Sequence, residues 1–376
     1  MAPTRKPAAG GVLTRRALNR ATLARQMLLA REPVPVPRAI ERLVGLQAQW
    51  PRPPFLGLWS RVEGFERSSL VRLLERRQVV RATFLRGTLH LATAGDFLAL
   101  RAALQPVLDA GMRTILKALG ARFDVERLKD QARRILEEGP RTFEEIRAEL
   151  LRANPGAHER AMGYAVRMQI PLVQVPVGEE APWAFPANAR FALADEWLGR
   201  PVPTGEPPSP EALVLRYLAG HGPASVADVQ AWSGLPKLKA VLEELRPRLA
   251  TFRDEAGREL FDLPEAPRPG GDAPAPARLV ADYDNLVTTR ADERFVARTH
   301  RPRVFLSALR VAATVLVDGF VAGTWKLARK KDAATLLISP FAPLSARDSK
   351  AVLAEAEALL RFAEGDARSF DVRVER

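Results

Sequence analysis

TFEEIRAELL at residues 142–151, GAHERAMGYAVRMQ at 156–169, PLVQVPV at 171–177 and WAFPANARFAL at 183–193 decide the fold. Thr142 caps a helix, and Glu145 stands three residues on, where a capping box needs its acid. Phe143, Ile146, Leu150 and Leu151 then share one helix face. Gly156–Gln169 reads as another helix. Pro171–Val177 and Trp183–Leu193 read as strands joined by a polar turn at Gly178-Glu179-Glu180. With Val125–Glu138 as a helix in front, three helices precede a hairpin over residues 125–198. That is the order of a winged helix.

The same order occurs twice more. In the segment Arg15–Pro106, Thr14 caps a helix carrying Leu18, Leu23 and Leu29. Arg38–Leu46 and Ser68–Arg77 are further helices, and Val79–Leu85 and Thr88–Ala92 form a hairpin around Arg86-Gly87. Thr93–Leu104 resumes helix. In Pro210–Leu263 the helices are Glu211–Ala219, Val226–Trp232 (capped by Ser225) and Lys237–Leu245, and the hairpin is Leu249–Phe252 with Glu259–Leu263. Pro201–Pro210, with five prolines, and Pro264–Pro276 are linkers. Beyond them Arg278–Val280, Arg303–Leu306, Ala312–Val317, Phe320–Lys326 and Ala334–Ser339 read as strands. Asp318-Gly319 marks a hairpin between two of them. Ala346–Phe362 is a closing helix, and Arg368–Val374 returns as a strand. The expected class is α+β: three tandem winged-helix units (1–106, 107–200, 201–263) followed by a small antiparallel β-barrel or curled sheet (276–376).

A chain of 376 residues exceeds one ordinary core. It contains no Cys, which excludes disulfides and thiolate metal sites. The four His residues are scattered, so neither a metal nor another cofactor is expected. Met1–Gly10 is basic with no apolar run behind it, unlike a signal peptide. The longest apolar run, Val311–Ala322, is interrupted by Asp318 and Gly319 and is too short to span a bilayer. A cytoplasmic protein is expected. Net charge is +13, and residues 1–100 contribute +11 of it. Codon bias explains an excess of Arg over Lys, but not this clustering. The balance points to a polyanionic partner facing the first quarter of the chain.

Leu46-Gln47-Ala48-Gln49-Trp50-Pro51 sits in that quarter, where the second helix gives way to the Pro-rich loop Pro51–Pro54. Two amides two residues apart either point into one cleft, or Gln47 caps the helix end and Gln49 is solvent-exposed. Four ordered blocks bear on the choice. They are Gly45–Gln49, Arg81-Ala82-Thr83-Phe84-Leu85-Arg86-Gly87-Thr88-Leu89-His90-Leu91, Asp282-Tyr283-Asp284-Asn285-Leu286 and Val317-Asp318-Gly319-Phe320-Val321-Ala322-Gly323-Thr324-Trp325. Together they resemble the AlkZ-like family of bacterial DNA glycosylases, from about Leu18 to Phe362. The resemblance implies a C-shaped monomer that cradles double-stranded DNA. It also implies hydrolysis of the N-glycosidic bond of N7-alkylated purines, including unhooking of interstrand crosslinks. The family's catalytic motif is Gln, a small or apolar residue, then Gln or Asp, so Gln47 and Gln49 take the catalytic places. Amides cannot act as general bases. An N7-alkylguanine is already cationic, however, so orienting a water is the task left. No Lys stands near the motif in sequence, so no lyase step is expected.

Other residues keep two readings. His90 contacts a phosphate or the cleft, or is a satisfied sheet histidine. Arg86 beside Gly87 is a DNA phosphate contact or part of the turn. Asp284 and Asn285 support the site or fix a turn, and Trp325 is expected in the core. Arg15, Arg16, Arg20 and Arg25 track DNA phosphates or form a solvated helix face. The rival to a glycosylase is a non-catalytic winged-helix DNA-binding regulator. The chain has no evident sensor domain for that role.

Overall fold

The computed structural model describes residues 10–203, 207–290, 292–307 and 310–375. The basic start of the chain and part of the 201–210 linker lie outside them. Helix starts follow the capping chemistry. Thr14 accepts the Ala17 N–H at 3.1 Å and Thr93 that of Asp96 at 3.2 Å. Thr142–Glu145 and Ser225–Asp228 both close as capping boxes.

Two helices run against the sequence reading. The Pro-rich stretch expected as a loop is the first turn of the helix Arg52–Trp59. Proline suits that place because its missing N–H has no helical partner there. Gln105–Ala118 forms a helix in front of Val125–Glu137.

The hairpins of the first two segments merge. Val79–Thr83 and Leu89–Thr93 pair as expected, but Val79–Thr83 also pairs with Leu172–Gln174. A six-stranded sheet results, in the order Leu46–Gln47, Leu89–Thr93, Val79–Thr83, Leu172–Gln174, Arg190–Leu193, Arg141–Thr142. The third hairpin, Ala250–Asp254 with Glu259–Asp262, takes Val12–Leu13 as a parallel third strand. One core cluster joins Val80 and Phe84, Val173 and Ala192, and Tyr217, Trp232 and Leu242, so the three segments share apolar burial.

The last segment is not a closed barrel. Its five strands run Arg278–Val280, Thr314–Val317, Phe320–Lys330, Ala333–Pro340, Ser369–Val374 in an open sheet. The first three pairings are antiparallel, but Ser369–Val374 lies parallel to Ala333–Pro340. A parallel neighbour needs a crossover, and the helix Ala346–Ala363 supplies it. That helix lays Val352, Ala356, Leu359 and Leu360 on the sheet core, covering apolar surface that a barrel would bury by closing.

Part of the positive charge of the first quarter is paired with acids from far along the chain, and Arg20, Arg25, Arg61 and Arg81 are buried. Arg16 and Arg20 pair with Asp318, Arg25 with Asp262, Arg31 with Glu355 and Arg61 with Asp284. The helix Arg15–Arg25 thus grips the Asp318-Gly319 turn, whose φ values of 49° and 80° suit a two-residue hairpin. Removing one partner of a fully buried pair, Arg25–Asp262 or Arg61–Asp284, strands the other charge and costs about 3–5 kcal/mol. For Arg20 and Arg25 this burial corrects the phosphate-tracking reading, while Arg15 and Arg16 stay on the exposed face of the helix. Arg20 and Arg25 are buried, and Arg16 is held by Asp318. Arg15 lies exposed with its guanidinium 5.2 Å from the Phe320 ring.

Candidate active site

The helix Val36–Leu43 ends earlier than expected, and Gln47 and Gln49 are not at its end. Val44 at φ 54° and Gly45 at φ 89° reverse the chain, and Leu46–Gln47 leaves as an edge strand. Gln47 pairs opposite His90, and the Ala48 N–H donates to the Leu89 carbonyl at 2.7 Å. Strand periodicity then sets direction. Leu46 and Ala48 are buried in the core, Gln47 between them is half-buried, and Gln49, in the bend after the strand, is exposed. The helix-cap alternative for Gln47 therefore has no helix end to cap.

Gln47 lines a narrow crevice with Leu46, Pro53, Arg61, Asp282 and Tyr283. The crevice meets a cleft of about 650 Å³ walled by Gln49, Trp50, Asp282, Tyr283, Leu306, Arg310, Trp325 and Lys326. Of these, Trp50 and Leu306 are 64% and 48% exposed. A larger cavity, about 860 Å³, lies between Arg67, Trp183 and Phe362 and contains neither glutamine.

Three neighbours hold the motif. Arg81, buried over the Phe185 ring, donates to the Ala48 carbonyl at 2.9 Å, to the Gln49 carbonyl at 3.2 Å and to Gln174. Burial pushes its guanidinium down to about 10, still charged at neutral pH. Asn285 donates to the carbonyls of Leu43 at 3.1 Å and Gly45 at 2.6 Å, tying the turn before the motif. Asp284 clamps Arg61 through both oxygens, at 2.7 and 2.9 Å, and also accepts the Leu286 N–H at 2.9 Å. It therefore both supports the crevice and fixes a turn.

Arg86 is partly buried. Its guanidinium donates to the Trp232 carbonyl at 2.6 Å and to Oε1 of Gln47 at 3.3 Å, and burial lowers it to about 10. Arg86 is thus in contact with a candidate catalytic amide. His90 is buried, and burial, then the charge of Arg86, depress it to about 3. The imidazole is neutral, with Nδ1 3.1 Å from the Thr88 carbonyl and Nε2 buried without a hydrogen-bond partner. Trp325 is core, its Nε1 donating to the Val280 carbonyl at 3.0 Å.

Backbone strain gathers here. Val44, Arg86 and Tyr283 all hold positive φ, at 54°, 54° and 58°. Side-chain-bearing residues pay about 1–3 kcal/mol for such conformations, which persist where surrounding structure enforces them. Sequence reading passed over Trp50, Arg81, Asp282, Arg310 and Lys326. Trp50 directly follows the motif and Asp282 opens a quoted block, but only the fold brings them together.

A protein of Streptomyces sahachiroi described as an interstrand DNA cross-link repair glycosylase is 27% identical over 365 residues, covering 90% of this chain and 94% of that one. The solved structure of the DNA glycosylase AlkZ from the same organism superposes with a TM-score of 0.74 at 23% identity, over 97% of this chain and 100% of that one, so the two share a fold. No described helix is long and apolar enough to cross a membrane. The sequence pattern of the family described as "DNA glycosylase AlkZ-like" matches residues 40–362, most of the chain, which is therefore a member of the AlkZ-like DNA glycosylases.

Proposed function

We propose that this enzyme is a monofunctional DNA glycosylase that hydrolyses the N-glycosidic bond of N7-alkylated purines in double-stranded DNA. One observation carries the reading: Gln47, at the end of the edge strand Leu46–Gln47, and Gln49, in the bend that follows, line adjoining clefts that share Asp282 and Tyr283, in a member of a DNA glycosylase family. The side-chain carbonyls of the two glutamines accept hydrogen bonds from a water and aim its lone pair at C1′. Arg86 fixes the Gln47 amide by donating to its oxygen, which keeps a second lone pair for the water. The buried neutral His90 across the ladder adds no competing charge.

The wider proposal keeps three winged-helix units, bounded near residues 106, 200 and 263, around a DNA-cradling surface, in a cytoplasmic monomer that needs no cofactor. The name of the Streptomyces relative supports extending the substrates to interstrand crosslinks. The test is base release from a duplex carrying one N7-methylguanine, with alkali cleavage to reveal the abasic site. Release of free 7-methylguanine with no strand break before alkali is expected. No release, or a break without alkali, counts against the reading.

A further inference from the structure

Two amides leave one requirement of this chemistry unmet. As the C1′–N9 bond breaks, its electron pair goes to N9 and neutralises the cationic purine. The positive charge passes to C1′ and O4′ of the sugar. A neutral amide stabilises that charge weakly, whereas a carboxylate in a partly desolvated cleft stabilises it strongly.

Among the described residues, Asp282 is the one carboxylate that lines both the crevice under Gln47 and the cleft of Gln49. Asp284, two residues on, is already committed to Arg61. Asp282 is partly buried. Arg52 and Arg310 are the cations that act on it, and neither is in salt-bridge contact with it among the described residues. The left-handed Tyr283 fixes the chain immediately after it, and the Arg61–Asp284 clamp fixes the chain beyond.

We propose that Asp282 is a third catalytic residue, whose carboxylate faces the deoxyribose beside Gln47 and Gln49 and counters the charge that forms on it. The inference rests on the glycosylase reading above. In the completed step, the oxygen of the oriented water forms the new bond to C1′. Asp282 takes the proton that this water sheds and passes it to solvent. The products are an abasic deoxyribose, a neutral alkylpurine and one proton, so atoms and charge balance. Burial holds the Asp282 carboxyl above the usual carboxylate range against the opposing charges of Arg52 and Arg310, which suits a group that must briefly hold a proton. The other groups facing the same cleft are Tyr283, Lys326, Gln49 and the Arg61–Asp284 pair behind the crevice.

The experiment is single-turnover excision of N7-methylguanine by the full-length wild type, Asp282→Asn, Asp282→Glu and Gln47→Ala, with duplex affinity and melting temperature measured on each. Asp282→Asn is expected to excise about 10²-fold or more slowly with affinity and melting unchanged, and Asp282→Glu to recover part of the rate. The wild-type rate, corrected for spontaneous depurination, should fall as pH drops through the raised carboxyl range. The residual rate of Asp282→Asn should lack that limb. If Asp282→Asn matches the wild type while Gln47→Ala is slow, the inference is overturned and the glycosylase reading stands. A wild type inert on this duplex overturns both. If Asp282→Asn does not fold, the wild-type profile decides, and a rate flat on the acid side overturns the inference.

Discussion

Replacing Asp284 with Ala strikes the joint between the first quarter of the chain and the C-terminal sheet. The side chains of Arg61 and Asp284 are 0% and 2% exposed and meet through two hydrogen bonds, at 2.7 and 2.9 Å. Without the carboxylate, the Arg61 guanidinium keeps the Gly57 carbonyl at 2.9 Å and Gln26 Oε1 at 3.4 Å, and no anion. Stranding a buried charge costs about 3–5 kcal/mol. Losing the cap on Leu286 adds about 1 kcal/mol. A total near 4–6 kcal/mol is a large part of the roughly 5–15 kcal/mol that keeps a protein folded. Urea unfolding followed by far-UV circular dichroism measures it as a lowered midpoint. Arg61→Met combined with Asp284→Leu should recover most of the loss, because two apolar groups remove both charges together. If Asp284→Ala falls within about 1 kcal/mol of the wild type, below even the cap-plus-pair cost, the pair does not hold this joint and the reasoning fails.

Two further outcomes are expected. Duplex affinity should fall with salt, and Arg310→Ala and Lys326→Ala, exposed on the cleft wall, should each reduce the log–log slope by about 0.9; Arg20→Ala should instead lower stability and leave the slope unchanged, and a slope change there would contradict its inward role. His90 and His221 are each depressed by burial to about 3, so both stay neutral in the fold while unfolded-chain imidazoles protonate below about 6.5; stability should therefore fall as pH drops from about 6.5 toward 3, and melting curves of wild type and His221→Gln with identical acid slopes would count against it.

What the sequence disclosed was local chemistry. The Thr142–Glu145 capping box and the Asp318-Gly319 hairpin appear where their residue types require them. What it hid was long-range pairing. Nothing near Val79 announces that its strand also pairs with Leu172–Gln174, and nothing near Ser369 announces a parallel return. Gln47 and Gln49 were legible as a pair, yet their setting was misread. An apolar run through Leu43, Val44 and Leu46 fits a helix end until Val44 and Gly45 take positive φ. The first-quarter charge was legible as an excess but not as a purpose, because Asp262, Asp284, Asp318 and Glu355 lie hundreds of residues away from the arginines they meet. Asp282 was obscured by its neighbours Asp284 and Asn285, which make more hydrogen bonds but do not face the cleft of Gln49.

The most direct test of the central claim is the single-turnover rate of base release from a duplex holding one N7-methylguanine, measured for wild type, Gln47→Ala and Gln49→Ala alongside their duplex affinity. If the two amides orient the water, each substitution should slow release by about 10²–10³-fold, as loss of one positioned polar group does elsewhere, with affinity and folding kept. Release at the wild-type rate by both variants would contradict the assignment.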